Sequence, residues 1–366
     1  MSKDDPPKSN PFPYKVELHV HIDGSVRPQT LLDIASKRDI QWEYNDLKSL
    51  TDVICLKEPS SLQQLLRAFD TFMPVLAGDS EALYRIAYEF CEDCARQGIK
   101  YAEARYSPHE MANDSEKPEH SSKSGNLSPS DVVSTISDGL QKGSEDFGVN
   151  VKSILCCMRH RPEWSMETVD LCRRYQDEGV VGIDIAGEEY PVCGQDSSSE
   201  SLHLKAFLEA ERLGIHRTAH AGEVGSAKVV QEAMDQLKVE RIGHGYVSLD
   251  DPVLYQRALH QQIHFELCPI SSIRTSAVGT DISKHPLLRF AKDKANYSIN
   301  TDDPVIFTNS LAEDYQMALD AGLSRQQVID SIFNAARSCF APEKEKEKLL
   351  RDLKQIYITE KVERIV

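Results

Sequence analysis

No uninterrupted apolar stretch in this chain approaches the length needed to span a membrane. Basic residues are too few to suit a polyanion: 42 Lys and Arg stand against 58 Asp and Glu, a net charge of −16. No surplus of cations is left to neutralise phosphates, so neither nucleic acid nor an anionic membrane is an expected partner. A Gly-rich phosphate loop of either common kind is missing, and so is a nucleophilic serine elbow. Cys91-Glu92-Asp93-Cys94 has CxxC spacing, but it lies in a helical pattern and no second thiol pair follows at zinc-finger spacing. His264-Phe265-Glu266 has the HxE of one zinc signature, yet Cys268-Pro269-Ile270 does not supply the PCxxC that completes it.

What is present is enough for a substantial core. At 366 residues and 40% hydrophobic content the chain could hold two average domains, although barrels of this length are routinely single units. Nine cysteines, with Cys156 and Cys157 adjacent in an apolar run, leave at least one unpaired. Met1 to Pro13 is polar and Pro-rich, without the apolar centre of a secretory leader. Reduced, buried thiols and a cytoplasmic location are therefore expected. Residues 1–13 are expected to form a flexible tail ahead of one domain, 14–366.

Eight β-rich segments recur: Lys15 to His21, Ile99 to Arg105, Val151 to Met158, Val180 to Ile185, Arg217 to His220, Arg241 to His244, His264 to Cys268 and Ala295 to Asn300. Helix signals lie between most of them, such as Ser128 with Pro129 and Asp131, and Ser324 with Gln327 at capping-box spacing. Strand alternating with helix implies parallel strands joined by right-handed crossovers. The competing architectures are a closed (β/α)8 TIM barrel and an open doubly wound sheet. His21, Asp184, His220, His244 and Asp302 all fall at or just after strand ends. In a barrel those ends converge on one mouth, whereas in an open sheet they would lie in a row, so the barrel is expected. Residues 35–80 are too long for an ordinary loop and are expected to be a helical insertion or lid after the first strand. The polar segments Glu110 to Ser128 and Cys193 to Ser201 are expected to be surface loops.

The chemical residues cluster at those strand ends. His19 and His21 are two apart and so share one face of a strand, though either could be a hydrogen-bonded core histidine. His220 precedes Ala221-Gly222-Glu223, where Glu223 could stand beside a bound water or merely favour a helix dipole. His244 lies between Gly243 and Gly245, open to close approach by a ligand, or simply part of a glycine-rich turn. Asp302-Asp303 follows an apolar strand; two adjacent buried carboxylates repel unless a cation holds them, although Asp-Asp-Pro is also ordinary turn composition. Three His and one Asp are the ligands a catalytic zinc uses when one position must stay open for water.

Together these segments resemble the adenosine deaminase family on its animal-type side, a branch of the metal-dependent amidohydrolases. The matching stretches are Val16 to Ser25 (VELHVHIDGS), Ile183 to Glu188 (IDIAGE), His220 to Glu223 (HAGE), Gly243 to Gly245 (GHG) and Ser298 to Pro304 (SINTDDP), in the family's order. The likeness runs from Lys15 to about Leu350. It implies one Zn2+ per chain held by His19, His21, His220 and Asp302, with Glu223 as the acid at purine N1 and His244 beside the attacking water. It further implies that His21, Asp23, Gly187 and Asp303 touch the substrate, Asp23 at the ribose 5′-hydroxyl, Gly187 at N3 and Asp303 at N7. Asp184 would orient a ligand from behind. Leu62, Leu65, Leu66 and Phe69 follow i, i+3, i+4, i+7, usually plain core packing; the family places a hydrophobic gate there, and Met158 would join the pocket. Leu65 stands where vertebrate members carry an aromatic residue, and the loop near His120 lacks the tryptophan often found there.

The implied activity is hydrolytic deamination of adenosine and 2′-deoxyadenosine, with a small purine nucleoside as the partner. A carboxylate at the 5′ end repels a phosphate, so AMP is expected to be a poor substrate. The competing readings are deamination of adenine or of a modified nucleoside monophosphate, and a silent scaffold that binds partners without turnover. The ligand set would also accept cobalt or iron.

Overall fold

The computed structural model describes residues 11–121, 123–192 and 201–363, with side chains through 357. Eight strands follow one another: β1 Lys15–His21, β2 Ile99–Tyr106, β3 Asn150–Met158, β4 Val180–Ala186, β5 His216–Ala221, β6 Arg241–His244, β7 His264–Leu267 and β8 Tyr297–Ile299. Each pairs in parallel with the next. The ring closes where Val20 bridges Asp302: the His21 N–H donates to the Asp302 carbonyl at 2.9 Å, and the Asp302 N–H to the His19 carbonyl at 3.1 Å. The expected barrel is the observed one. β8 is shorter than expected because Ala295 is taken up by the turn out of helix Leu287–Lys292, donating to the Phe290 carbonyl.

These strands are buried along nearly their whole length because both faces are covered, one by helices and the other by the barrel filling, and several carry charged or imidazole side chains inside. At the closed end that filling includes charge. Arg241 lies against the Phe340 ring, 3.7 Å from its centroid, and pairs with Glu103 at 2.6 Å and Glu266 at 2.7 Å. Ions so deeply buried are tolerable only when paired in this way.

Beyond β1 the chain runs through α1 (Pro28–Lys37), α2 (Leu47–Ile54), α3 (Leu62–Leu76) and α4 (Ser80–Gln97), so the 35–80 segment is helical. A capping box of Ser61 and Gln64 starts α3, and its Leu65, Ala68, Phe72 and Met73 are buried. The capping signals read at Ser128 and Ser324 are both formed. Of the expected loop Glu110 to Ser128, Glu110 and Met111 instead end a short helix, Pro108–Met111, and Ala112 is buried. Residues 114–117 and 123–126 are exposed, residue 122 lies outside the described residues, and Glu119 and His120 reach the cavity described below. Residues 193–200 of the other expected loop, and residues 1–10 of the expected tail, lie outside the described residues. Phe12 is buried with its ring edge-on to Tyr315 at 5.2 Å. The described cysteines are free thiols and buried. Among the described residues no helix is long and apolar enough to cross a membrane.

Candidate active site

The C-terminal ends of β1, β5, β6 and β8 bring four imidazoles and a carboxylate together. His19 Nε2 lies 3.1 Å from Asp302 Oδ1, His21 Nε2 lies 3.2 Å from His220 Nε2 and 3.5 Å from the same Asp302 oxygen, and His244 Nε2 is 3.8 Å from Asp302 Oδ2. Ligands about 2.1 Å from one tetrahedral zinc sit roughly 3.4 Å apart, so this crowding has the right scale for a shared cation. One ligand atom each from His19, His220, His244 and Asp302 lies within 4.8 Å of the others, as do those of His21, Asp302 and Asp303. Burial first, then neighbouring positive groups, holds His21 and His244 well below the usual imidazole range, in the neutral form a metal needs. At His19 burial is outweighed by the Asp302 and Glu266 carboxylates, which raise it until a cation takes Asp302. The residues fit a divalent metal.

Two of the clustered rings each meet a buried carboxylate at the far nitrogen. His19 Nδ1 is 2.7 Å from Glu266 Oε2. His220 Nδ1 is 2.8 Å from Asp184 Oδ2, close for an ion contact although off the ring's N–H axis. Carboxylate partners of this kind set the tautomer and leave Nε2 free to ligate. Arg105 bridges the two, at 3.1 Å from Asp184 and 2.7 Å from Glu266. Burial would raise both acids, but the cations around them keep both below the usual carboxylate range. Asp184 thus stands behind His220, where sequence suggested an orienting role. Glu266 and Arg105 were missed. Their signal was period two on β7 and β2, which turns His264 and Glu266, like Glu103 and Arg105, to one face.

Backbone geometry carries part of the arrangement. His244 and Asp302 hold φ of 65° and 71°, a left-handed conformation that side chains rarely adopt. Gly243 is required because a Cβ there would lie 2.7 Å from His19 Cε1. At Gly24 a Cβ would meet Asp303 Oδ1 at 1.9 Å.

Above the cluster opens a cavity of about 280 Å3, at the small end for ligand pockets and suited to one small molecule. Glu223 lies in its wall, with Oε2 3.8 Å from His244 Nε2 and Oε1 accepting from the Thr275 hydroxyl at 2.8 Å. Burial, then the nearby Asp302 charge, pushes its carboxyl up to about 8. Asp303 is buried with Oδ1 lacking a partner, and burial and Asp302 hold it well above the usual range. Burial, then Glu110, pushes Asp23 up to about 7. Gly187, Met158, Leu62, Leu65, Leu66 and Phe69 also line the wall, so most of the sequence-predicted residues meet in one cavity, with His19 and Asp184 buried behind it.

A closed parallel barrel with imidazoles and a carboxylate at its mouth is the architecture of the amidohydrolase class. The chain belongs to the adenosine deaminase family, whose model, described as adenosine deaminase, matches residues 14–356. Adenosine deaminase of Danio rerio is 50% identical over 345 residues, covering 94% of this chain and 95% of that protein. Among solved structures, adenine deaminase from Arthrobacter aurescens superposes with a TM-score of 0.80 at 26% identity, covering 93% of this chain and 98% of the other. An amidohydrolase from Burkholderia ambifaria with bound zinc shares the fold, with a TM-score of 0.79 at 24% identity over 98% of this chain and 96% of its own.

Proposed function

We propose that the chain catalyses zinc-dependent hydrolytic deamination of adenosine and 2′-deoxyadenosine, giving inosine and 2′-deoxyinosine with ammonia, in purine salvage and catabolism. Relatives named adenosine deaminase support the substrate. The observation that carries the chemistry is a buried carboxyl, Glu223, beside an imidazole cluster at the floor of a small cavity. His19, His21, His220 and Asp302 would hold one zinc ion. When bound, zinc supplies a water whose pKa falls towards about 7, a nucleophile available at neutral pH.

The protein's own groups do the rest. Addition of water at C6 breaks the aromaticity of the ring, and negative charge must leave through N1. Glu223, kept protonated by its burial, gives N1 that proton. His244 takes or orients the proton of the attacking water and balances the developing oxyanion. Asp303, also on the protonated side, donates to N7, the Gly187 peptide N–H donates to N3, and His21 packs beside the ring. Asp23 accepts from the ribose 5′-hydroxyl. Water adds at C6, and the proton it gives up to His244 passes to the amino group. The C6–N bond breaks, ammonia leaves, and the C6 hydroxyl returns its proton to Glu223 as the carbonyl forms. α3 would cover the pocket as a hydrophobic lid.

Asp23 and Glu110 together make the ribose end hostile to phosphate. Ammonia release should therefore be fast with adenosine and 2′-deoxyadenosine and slow with AMP, in protein carrying about one zinc per chain. Comparable efficiency on AMP would overturn the nucleoside reading, and a preference for adenine would redirect it to the free base.

A further inference from the structure

Glu189 has no part in the chemistry above, yet its carboxylate gathers three backbone donors from the turn that carries the acid. Oε1 accepts from the Glu223 N–H at 3.2 Å, and Oε2 accepts from Val224 at 3.1 Å and Gly225 at 2.6 Å. Three successive N–H groups converging on one anion form a nest, and here a side chain of the same protein fills it. The turn leaves β5 through Gly222, at φ 82°, and enters helix Ala227–Asp235. Ser226 supplies no side-chain cap there, so Glu189 holds the turn from outside. A Cβ on Gly225 would lie 2.7 Å from Glu189 Oε2, so glycine is what lets the carboxylate approach.

Glu189 follows Gly187 by two residues on the segment leaving β4. A second fastening joins the same two segments: Arg159 donates to the Tyr190 carbonyl at 2.7 Å and the His220 carbonyl at 2.6 Å, while the Tyr190 hydroxyl donates to the Arg159 carbonyl at 2.8 Å. Gly187 and Glu189 line the cavity from one segment, His220 and Glu223 from the other. In a purine, N1 and N3 belong to the same rigid ring. A group donating to N3 and an acid serving N1 must therefore keep a fixed spacing.

We infer that Glu189 is a positioning residue: by binding the 223–225 peptide groups it fixes the Glu223 carboxyl relative to the Gly187 peptide, so that the ring lies with N1 against the acid. The inference rests on the roles given to Glu223 and Gly187 under the proposed function. A clamp that merely stabilised the loop would loosen every ligand alike. A positioning clamp weakens those ligands that need the acid.

The test compares the parent, Glu189→Ala, Glu189→Gln and Glu223→Gln as zinc-loaded proteins. Two ligands are titrated: purine riboside, which retains N1, and 1-deazaadenosine, in which a C–H replaces N1. Glu189→Ala is expected to lower kcat/KM for adenosine by about 10²-fold, the scale of a misplaced reacting group, and purine riboside affinity in step. Affinity for 1-deazaadenosine should hold. Glu189→Gln keeps one carbonyl oxygen for the nest and should recover part of the loss; it also carries the comparison where the alanine variant does not fold. Equal weakening of both ligands, or of neither, overturns the inference. If Glu223→Gln leaves purine riboside binding intact, the acid assignment itself fails and the inference falls with it. If only that variant discriminates, the acid stands and Glu189 does not.

Discussion

His244 and Asp302 occupy left-handed backbone without being glycine, and both ring nitrogens of His244 lack hydrogen-bond partners. Such conformations cost about 1 kcal/mol or more each and persist where the surroundings over-determine them. The surroundings here are the cluster of imidazoles and carboxylate. Glu223→Gln keeps shape and size while removing the transferable proton. Turnover of adenosine should fall roughly 10²- to 10⁴-fold with zinc content unchanged, and a variant retaining full kcat would remove the acid role. Gly243→Ala tests packing instead. His19 is held at Nδ1 by Glu266 and at Nε2 beside Asp302, so it cannot yield to a Cβ. We expect a loss of about 1–3 kcal/mol in stability and a lower zinc content by metal analysis. Unchanged melting with full occupancy would mean that the ring can move. The residues that announce themselves in sequence are the ones with unusual neighbours: imidazoles two apart, a histidine between glycines, paired aspartates.

Among the elements, strands were the most readable, because β-rich runs bounded by turn residues repeat with helical patterns between them. β7 was misjudged in content rather than position. His264-Phe265-Glu266 lacks the partners of an HxE zinc site, yet Glu266 is the anchor behind His19. Nothing in a single strand reports that its carboxylate will face an arginine from β2, because that contact exists only after closure. α3 was legible from its spacing, but not which of its leucines would face solvent, core or cavity. Leu65 is buried, while Leu62, Leu66 and Phe69 are half-buried along the cavity wall. Leu66→Ala should therefore raise KM for adenosine about fivefold, from roughly 1 kcal/mol of lost apolar contact, with kcat nearly constant. A parallel fall in kcat would instead implicate α3 in the chemical step.

At the scale of the whole molecule, the barrel is organised around buried polar groups that fix its pH range. His264 is buried between Asn296 and Ser298, and His285 between Ser272 and the Leu287 N–H. Burial pushes each down to about 4. Both are neutral when folded but take up protons near pH 6.5 when unfolded, so the unfolded chain binds more protons between those values. Their contribution to stability is therefore complete above about pH 6.5 and is lost as pH falls through about 4, about 3 kcal/mol of it from His264. Measured from pH 7 to 4.5, the urea midpoint of His264→Gln should fall less, or rise more, than that of the parent, since the raised carboxyls of Glu223 and Asp23 act in the opposite direction in both proteins. A parent-like slope in that variant would exclude His264 as a source.

Asp302 does two jobs at once, since its peptide stitches the last strand to the first and its side chain joins the ligand cluster. Construction and competence are thus a single event. The full cluster of imidazoles and carboxylate comes together only as the ring shuts, because Asp302 lies on the segment that closes it. Any lesion that keeps the seam open should silence the molecule outright rather than slow it.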